Sequence, residues 1–284
     1  MVFDETMGLL EELYGDELKT TWIEKVMVGL FFTGVKLSDG SGGVAYTPRE
    51  DLRDVTCCPA TVDARTNRLS FKGMVVADLF RLAGSSSLAG LITLAVMNAL
   101  SSRFITPDRY RVVYDADALD LIPGLFPPII PGNFPKSSSP GTGKIGMVGS
   151  FIPFLKRLKG IPDIDLTVIE RNRASLRPDE MRFYAPAEDA SKVLPLCDTA
   201  ILTGSSIANG TIEDLLGYTR PGATVIVTGP TASLLPDALF ARNATIVSGV
   251  KVTDQDLALD MLAEGLGAYF LFNTCVRKLN VIKE

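Results

Sequence analysis

The chain has 284 residues, 46% hydrophobic and 21% charged, with a net charge of −5 and no histidine, which leaves room for two domains and a sizeable core. The acidic balance argues against nucleic acid or an anionic membrane as a partner. The missing imidazole excludes Ser-His-Asp and Cys-His nucleophiles and every histidine metal site, so acid–base chemistry falls to Asp, Glu, Lys, Tyr, Cys or a bound cofactor.

The N-terminal segment MVFDETMGLLEELYGDE is patterned as an acidic amphipathic helix and lacks the zoning of a secretory signal, which predicts a cytoplasmic protein. Residues 21–47 read as strands broken by a turn at Ser38–Gly43, an antiparallel sheet. Two helices follow, Met74–Leu82 and Leu88 to about Arg103, giving an α+β domain over residues 1–121. The uncharged run from Leu82 through Ser102 is interrupted by Gly84, Gly90, Thr93 and Asn98, so it reads as a buried core helix rather than a membrane span. Asn98 within it must find partners, either backbone groups or a ligand.

Residues 122–143, IPGLFPPIIPGNFPKSSSPGTG, form a Pro/Gly/Ser-rich linker. Gly141–Lys144 at its end superficially resembles a phosphate-binding P-loop, but Ser138 and Ile145 stand where the motif needs Gly and Ser/Thr. From residue 144 to 284 strands and helices alternate: Ile145–Val148, a helix from Phe151 to Leu158, Asp165–Ile169, a helix near Asp189–Leu194, Ala200–Leu202, Ala223–Val227 and Ala244–Val250, then a helix opened by Thr253 with Asp256 in a capping box. That alternation predicts an α/β domain built on a doubly wound parallel sheet. Cys57, Cys58, Cys197 and Cys275 show no C-x-x-C and read as reduced packing residues.

The strongest local signal is residues 199–232, where two apolar runs each end in small hydroxylated residues and glycine. Thr203, Gly204, Ser205 and Ser206 form one tip, and Gly229, Pro230 and Thr231 follow Thr228 at the other. One helix, started by Asn209 and Thr211, is expected between them, its free N–H groups favouring an anionic or polar ligand. The first strand of the domain ends in Gly146, Gly149, Ser150 and Phe151, a sparse relative of the dinucleotide turn, and the second ends in Glu170, about where an acidic residue bonds a ribose. An ion pair of Glu170 with Arg171 or Arg173 is the equal alternative.

These residues resemble the DUF364 family, linked to heavy-metal chelation, with its N-terminal companion DUF4213. The resemblance rests on VMVGLFFTGVKL (26–37), GGVAYT (42–47), MNAL (97–100), GMVGSF (146–151), TAILTGSSIANGTIEDLL (199–216) and VTGPTASLLPDALF (227–240). It implies an enolase N-terminal-like domain packed on a Rossmann-like domain partly similar to methyltransferases, with a site built from both. It also implies condensation or hydrolysis of pterin-, flavin- or siderophore-like molecules, or handling of metal chelates.

The expected crevice is thus lined by Gly149, Ser150, Phe151, Glu170, Thr203, Gly204, Ser205, Ser206, Asn209, Thr211, Gly229, Pro230 and Thr231, and closed by Thr33, Tyr46 and Asn98. Glu170 is the one carboxylate nominated for acid–base or ribose-binding duty, and no residue is nominated for direct metal coordination. Three functions fit: a small-molecule enzyme acting by condensation, hydrolysis or group transfer, a non-catalytic carrier of a metal chelate or cofactor, and a methyltransferase-like protein. The ligand is a small molecule, with a nucleotide, S-adenosylmethionine or a metal chelate as candidates, and homo-oligomer formation stays open.

Overall fold

The computed structural model describes residues 1–50, 52, 70–122, 124–125, 143–272 and 274–284; Cys57, Cys58 and most of the Pro/Gly/Ser-rich stretch lie outside the described residues. Helix α1 (Val2–Tyr14) carries Asp4 and Glu5 in its first turn, favourable at the positive end of the helix dipole, and buries Val2, Leu10 and Tyr14 along one stripe. Strands β1 (Ile23–Val28), β2 (Phe32–Leu37) and β3 (Gly42–Tyr46) then form an antiparallel three-stranded sheet in that order, with Phe32 opposite Tyr46 and Thr33 opposite Ala45. Helix α2 (Val76–Leu82) leads to α3 (Ser87–Ser101), whose N-terminus is capped by the Ser86 hydroxyl accepting from the Ala89 N–H.

Helix α3 is buried on nearly every face because it lies against the small sheet on one side and the rest of the chain on the other. Each fully buried Leu, Ile or Met along it contributes roughly 1.5–3 kcal/mol of transfer free energy. The core-helix expectation holds, and among the described residues no helix is long and apolar enough to cross a membrane. Gly43 sets the approach of sheet to helix: an added Cβ there would lie 2.1 Å from the Ala95 carbonyl oxygen and 2.4 Å from the Ala99 nitrogen.

The second sheet is eight-stranded and mostly parallel. It comprises β4 (Arg111–Tyr114), β5 (Lys144–Val148), β6 (Asp165–Glu170), β7 (Tyr184–Pro186), β8 (Thr199–Thr203), β9 (Thr224–Thr228), β10 (Ile246–Val252) and β11 (Val276–Ile282), in the order β4-β11-β10-β9-β8-β5-β6-β7. The six strands from β10 to β7 pair in parallel, as their near-continuous apolar character implies. The all-parallel expectation needs correcting at one edge, where β11 runs antiparallel to β10 and β4 antiparallel to β11. The sequence of β11, VRKLNVI, hides this strand because Arg277, Lys278 and Asn280 break its apolar run.

Asn280 is fully buried: its Oδ1 accepts from the Ser248 hydroxyl (2.6 Å), while its amide donates to the Val113 and Ala116 carbonyls (3.2 and 3.1 Å). This side chain therefore stitches β10, β11 and the end of β4 together. Strand β4 precedes the proline-rich stretch in sequence yet is hydrogen-bonded into the second sheet.

The helices around this sheet are short: α4 (Ile152–Leu158), α5 (Ala190–Val193), α6 (Ser205–Ala208), α7 (Ile212–Tyr218), α8 (Asp237–Phe240), α9 (Gln255–Ala263) and α10 (Ala268–Leu271). Two helix starts differ from expectation. The cap of α9 is Asp254, which accepts from the Leu257 N–H, rather than Thr253. The segment between β8 and β9 forms two helices, not one, because Gly210 at φ +72° turns the chain between α6 and α7.

Glu180, 3% exposed, is a buried carboxylate with a measurable consequence. Burial pushes its pKa up, but the Arg177 N–H (3.1 Å) and the Lys159 ammonium (3.1 Å) outweigh that and hold it below the ordinary glutamate value. A depressed folded-state pKa adds stability that is complete above the unfolded value and fades as pH falls through the folded one. Glu180→Gln is expected to cost about 2 kcal/mol at neutral pH. The gap to wild type should narrow below pH about 4, as read by denaturant melts across pH; a gap independent of pH would refute the ion-pair account.

Candidate functional site

The order of the parallel strands reverses between β5 and β8, from which the chain winds outward to β7 on one side and β10 on the other. In open α/β sheets this switch point leaves a crevice beyond the carboxyl ends of the strands, because consecutive loops diverge there. Three glycines let the tips approach one another. Gly149, at φ +93°, donates its N–H to the Ile169 carbonyl (2.9 Å), and an added Cβ would sit 3.1 Å from the Thr203 Cβ. Gly204 donates to the Thr228 carbonyl (2.7 Å), and its Cβ would lie 2.9 Å from the Ala232 nitrogen. Gly229, at φ +121°, donates to the Ser248 carbonyl (2.9 Å) and faces Gly204. The tips of β5, β8 and β9 thus form a continuous backbone floor that larger residues would disrupt.

Ser150, Phe151, Glu170, Thr203, Ser205, Pro230 and Tyr46 are all half-buried. The Thr203 and Ser205 hydroxyls are 2.8 Å apart, while Ser206, 1% exposed, is turned inward to donate to the Thr203 carbonyl (2.5 Å). Glu170 is engaged by backbone on both oxygens. Its Oε2 accepts from the Ser150 N–H (2.9 Å) and its Oε1 from the Asn172 N–H (3.1 Å), so the carboxylate ties the β5–α4 turn to the loop after β6. The Ser150 hydroxyl adds a second tie by donating to the Ser175 carbonyl (3.2 Å).

Thr33, Asn98 and Thr231 lie inside the seam between the two layers instead of on the crevice wall. Thr33, fully buried, shares a hydrogen bond with the Thr47 hydroxyl (3.0 Å). The Thr231 hydroxyl accepts from the Tyr46 N–H (2.8 Å), which seats the end of β3 on the turn after β9. Asn98 donates from Nδ2 to the carbonyls of Val44 (2.8 Å), Thr231 (3.2 Å) and Pro230 (3.4 Å), while its Oδ1 has no partner among the described residues. Ser101 continues the seam by accepting from the Leu235 N–H (3.0 Å).

Asn209 and Thr211 stand at the joint between α6 and α7, where the Asn209 N–H donates to the Ser205 carbonyl (3.2 Å) and the Asn209 side chain accepts from the Thr211 hydroxyl (2.8 Å). Gly146 is buried in mid-strand, where a Cβ would meet the Cys197 Sγ at 2.8 Å, so it serves packing rather than ligand approach. The Cys197 thiol is pushed up to about 11 by burial and donates to the Val193 carbonyl (3.2 Å), and burial raises Cys275 as well; neither is poised as a nucleophile. Among the described residues no group of three or more Cys, Asp or Glu comes together as a metal cage.

A family model described as "Putative heavy-metal chelation", DUF364, matches residues 137–281, and DUF4213, which carries the same description, matches residues 11–101. The chain belongs to the DUF364 family. Two crystal structures of DUF364 proteins of unknown function share its fold. The one from Pyrococcus horikoshii aligns over the whole of both chains with a TM-score of 0.74 at 22% identity. The one from Desulfitobacterium hafniense aligns over 96% of this chain and 98% of its own with a TM-score of 0.64 at 19% identity. An uncharacterised protein of Methanocaldococcus jannaschii, MJ0500, is 30% identical over 118 residues, a match that takes in 41% of this chain and 43% of that protein.

Sequence reasoning missed Thr47, Ser101, Asn172 and Ser175 in this DUF364 chain, all of which hold the site or its seam in place. Their signal lies in pairings across long sequence distances, which a linear reading does not reveal.

Proposed function

We propose that the chain binds a small molecule in the switch-point crevice and carries it without supplying acid–base chemistry of its own. The observation that carries this reading is Glu170, whose two oxygens are both engaged by backbone N–H groups across the crevice rim. A carboxylate used that way is a structural tie. Hydroxyls, backbone edges and aromatic rings are what remain facing the ligand, a lining suited to holding a compact polar-aromatic molecule.

The strand order of the parallel part, β7-β6-β5-β8-β9-β10, is that of the dinucleotide-binding Rossmann fold, which supports a ligand at this position. A pyrophosphate cradle is less well supported, because the Ser150 N–H is already spent on Glu170 and Pro153 has no N–H to offer. A metal chelate or a pterin- or flavin-like compound therefore fits better than a dinucleotide or S-adenosylmethionine. With such a ligand, metal arrives already coordinated, in keeping with the family description. The enzymatic alternative of condensation or hydrolysis keeps one supporting feature, the paired Thr203 and Ser205 hydroxyls at the strand tip.

Thermal-shift and calorimetric titration with metal chelates, pterins, flavins, nucleotides and S-adenosylmethionine tests this. A stabilising ligand should be lost in Gly149→Ala, whose Cβ crowds Thr203 at a backbone angle that favours glycine, with affinity falling about tenfold or more. Binding should survive in Asn209→Ala, since that side chain sits at the α6–α7 joint. Loss in Asn209→Ala with retention in Gly149→Ala would move the site elsewhere.

A further inference from the structure

We infer that a second copy of this chain pairs with the outer edge of β1, antiparallel and in one register, joining two three-stranded sheets into one. The open edge follows from the hydrogen-bond ladder. The Gly29 N–H donates to the Phe32 carbonyl (3.0 Å) at the end of the hairpin, so Gly29 and Phe32 form a hydrogen-bonded pair. Such pairs alternate along an antiparallel ladder, and Met27 opposite Gly34 and Lys25 opposite Lys36 are the next two. Val26 and Val28 lie between them and turn their N–H and C=O groups away from β2, where no partner meets them among the described residues.

This edge is covered at one end only. The Ile23 N–H donates to the Met74 carbonyl (2.9 Å), and the Ile23 carbonyl accepts from the Gly73 N–H (2.8 Å). The register with β2 then shifts at Glu24, and irregularities and charges of this kind are how an edge strand avoids pairing with other chains. From Val26 to Leu30 neither device is present. The segment VMVGL carries no charge and no proline, and Val28 and Leu30 are 46% and 51% exposed. The opposite side of the small sheet shows the contrast, since β3 is covered by Thr231, which accepts from the Tyr46 N–H, and by Asn98, which donates to the Val44 carbonyl.

A second β1 fits this edge by register and by charge. A two-fold axis at Met27 sets Val26 against Val28 of the second copy and Val28 against its Val26, so all the outward groups of both residues pair. An axis at Val26 would set Val28 against the irregular Glu24, and one at Val28 would set Val26 against Leu30 in the turn. In the Met27 register Glu24 comes opposite Leu30 and Lys25 opposite Gly29, so no like charges meet. Both charges are already balanced within the chain: Glu24 pairs with Lys36 (3.2 Å), and Lys25 with Asp256 (3.6 Å) and Asp260 (3.9 Å). The hairpin end of the second copy stops beside Glu24, short of the Gly73–Met74 cover. The contact is small and apolar, of the size that gives a weak, concentration-dependent pair.

The test is sedimentation equilibrium of the full chain over a wide concentration range, joined to disulfide trapping. Wild type is expected to move from the 30.6 kDa chain toward twice that mass as concentration rises. Val28→Lys adds a charge to the exposed strip, and Val26→Pro removes an outward N–H without touching the ladder to β2. Each should weaken the pair about tenfold or more, and Val28→Lys, at an exposed position, decides if Val26→Pro does not fold. Met27→Cys gives a positive signal, because the two Cα atoms of that non-hydrogen-bonded pair would lie roughly 4.5 Å apart, within disulfide reach. It should cross-link above the wild-type background under oxidising conditions, whereas Lys25→Cys, out of register with its own copy, should not. A chain that stays monomeric throughout overturns the proposal, as does a dimer untouched by Val28→Lys or one that Met27→Cys fails to trap. Loss of the dimer in Tyr269→Lys alone would move the contact to the exposed aromatic residues of α10 and overturn it as well.

Discussion

Gly43→Ala should lower the melting temperature by roughly 6–12 °C, the shift expected for an overpacking cost of about 3 kcal/mol. The clash is with backbone, not with a movable side chain: the new Cβ would sit 2.1 Å from the Ala95 oxygen and 2.4 Å from the Ala99 nitrogen of α3. Relief requires β3 to move off the helix. That motion would also drag on Tyr46, whose N–H anchors the strand to Thr231. Gly217→Ala is the matched control, since nothing lies within 4 Å of a Cβ there and the residue is helical. Scanning calorimetry decides: melting of Gly43→Ala within about 2 °C of wild type would mean that the strand and helix can separate cheaply.

Asn98→Leu is expected to cost about 3–5 kcal/mol, because it strips the donor from the carbonyls of Val44, Thr231 and Pro230 in the seam while conserving volume. Compensation comes only from the orphan Oδ1, whose burial penalty the leucine removes. Asn98→Asp separates the two contributions, since it retains an oxygen where the amide nitrogen donates and should be at least as damaging. Urea melts of both variants give the answer. A leucine variant as stable as wild type would show that the three carbonyls are satisfied some other way, for example by water.

Much of this architecture is legible in the sequence because its signals are local. The strand-and-turn pattern of residues 21–47, the apolar helix before Arg103 and the glycine-ended strands of residues 199–232 each stand out over a short window. The DUF364 resemblance was carried by the same blocks. Strands β4, β7 and β11 are not legible that way: they are short or charged, and they become strands only because a neighbour supplies their hydrogen bonds.

The site shows the same division. The glycines and hydroxyls at the tips can be found from composition alone, since only a tight turn beside a strand end calls for them. Which of those groups face inward is decided by packing, which is why Ser206, Thr231, Thr33 and Asn98 belong to the interior. Glu170 illustrates the limit most clearly: its position at the end of β6 follows from the sequence, while its use as a tie to Ser150 depends on where a second loop falls.

Strand β4 bears on how this protein could have arisen. Its hydrogen bonds run to β11, so a gene fragment starting at residue 143 would encode a sheet with a bare outer strand whose N–H and C=O groups invite pairing with other chains. The buried amide of Asn280 would lose its Val113 and Ala116 acceptors at the same time. The family model over residues 137–281 leaves this strand out and therefore does not mark a self-sufficient module. Moving the second segment alone into a new gene would require a substitute for four residues of edge strand, Arg111–Tyr114.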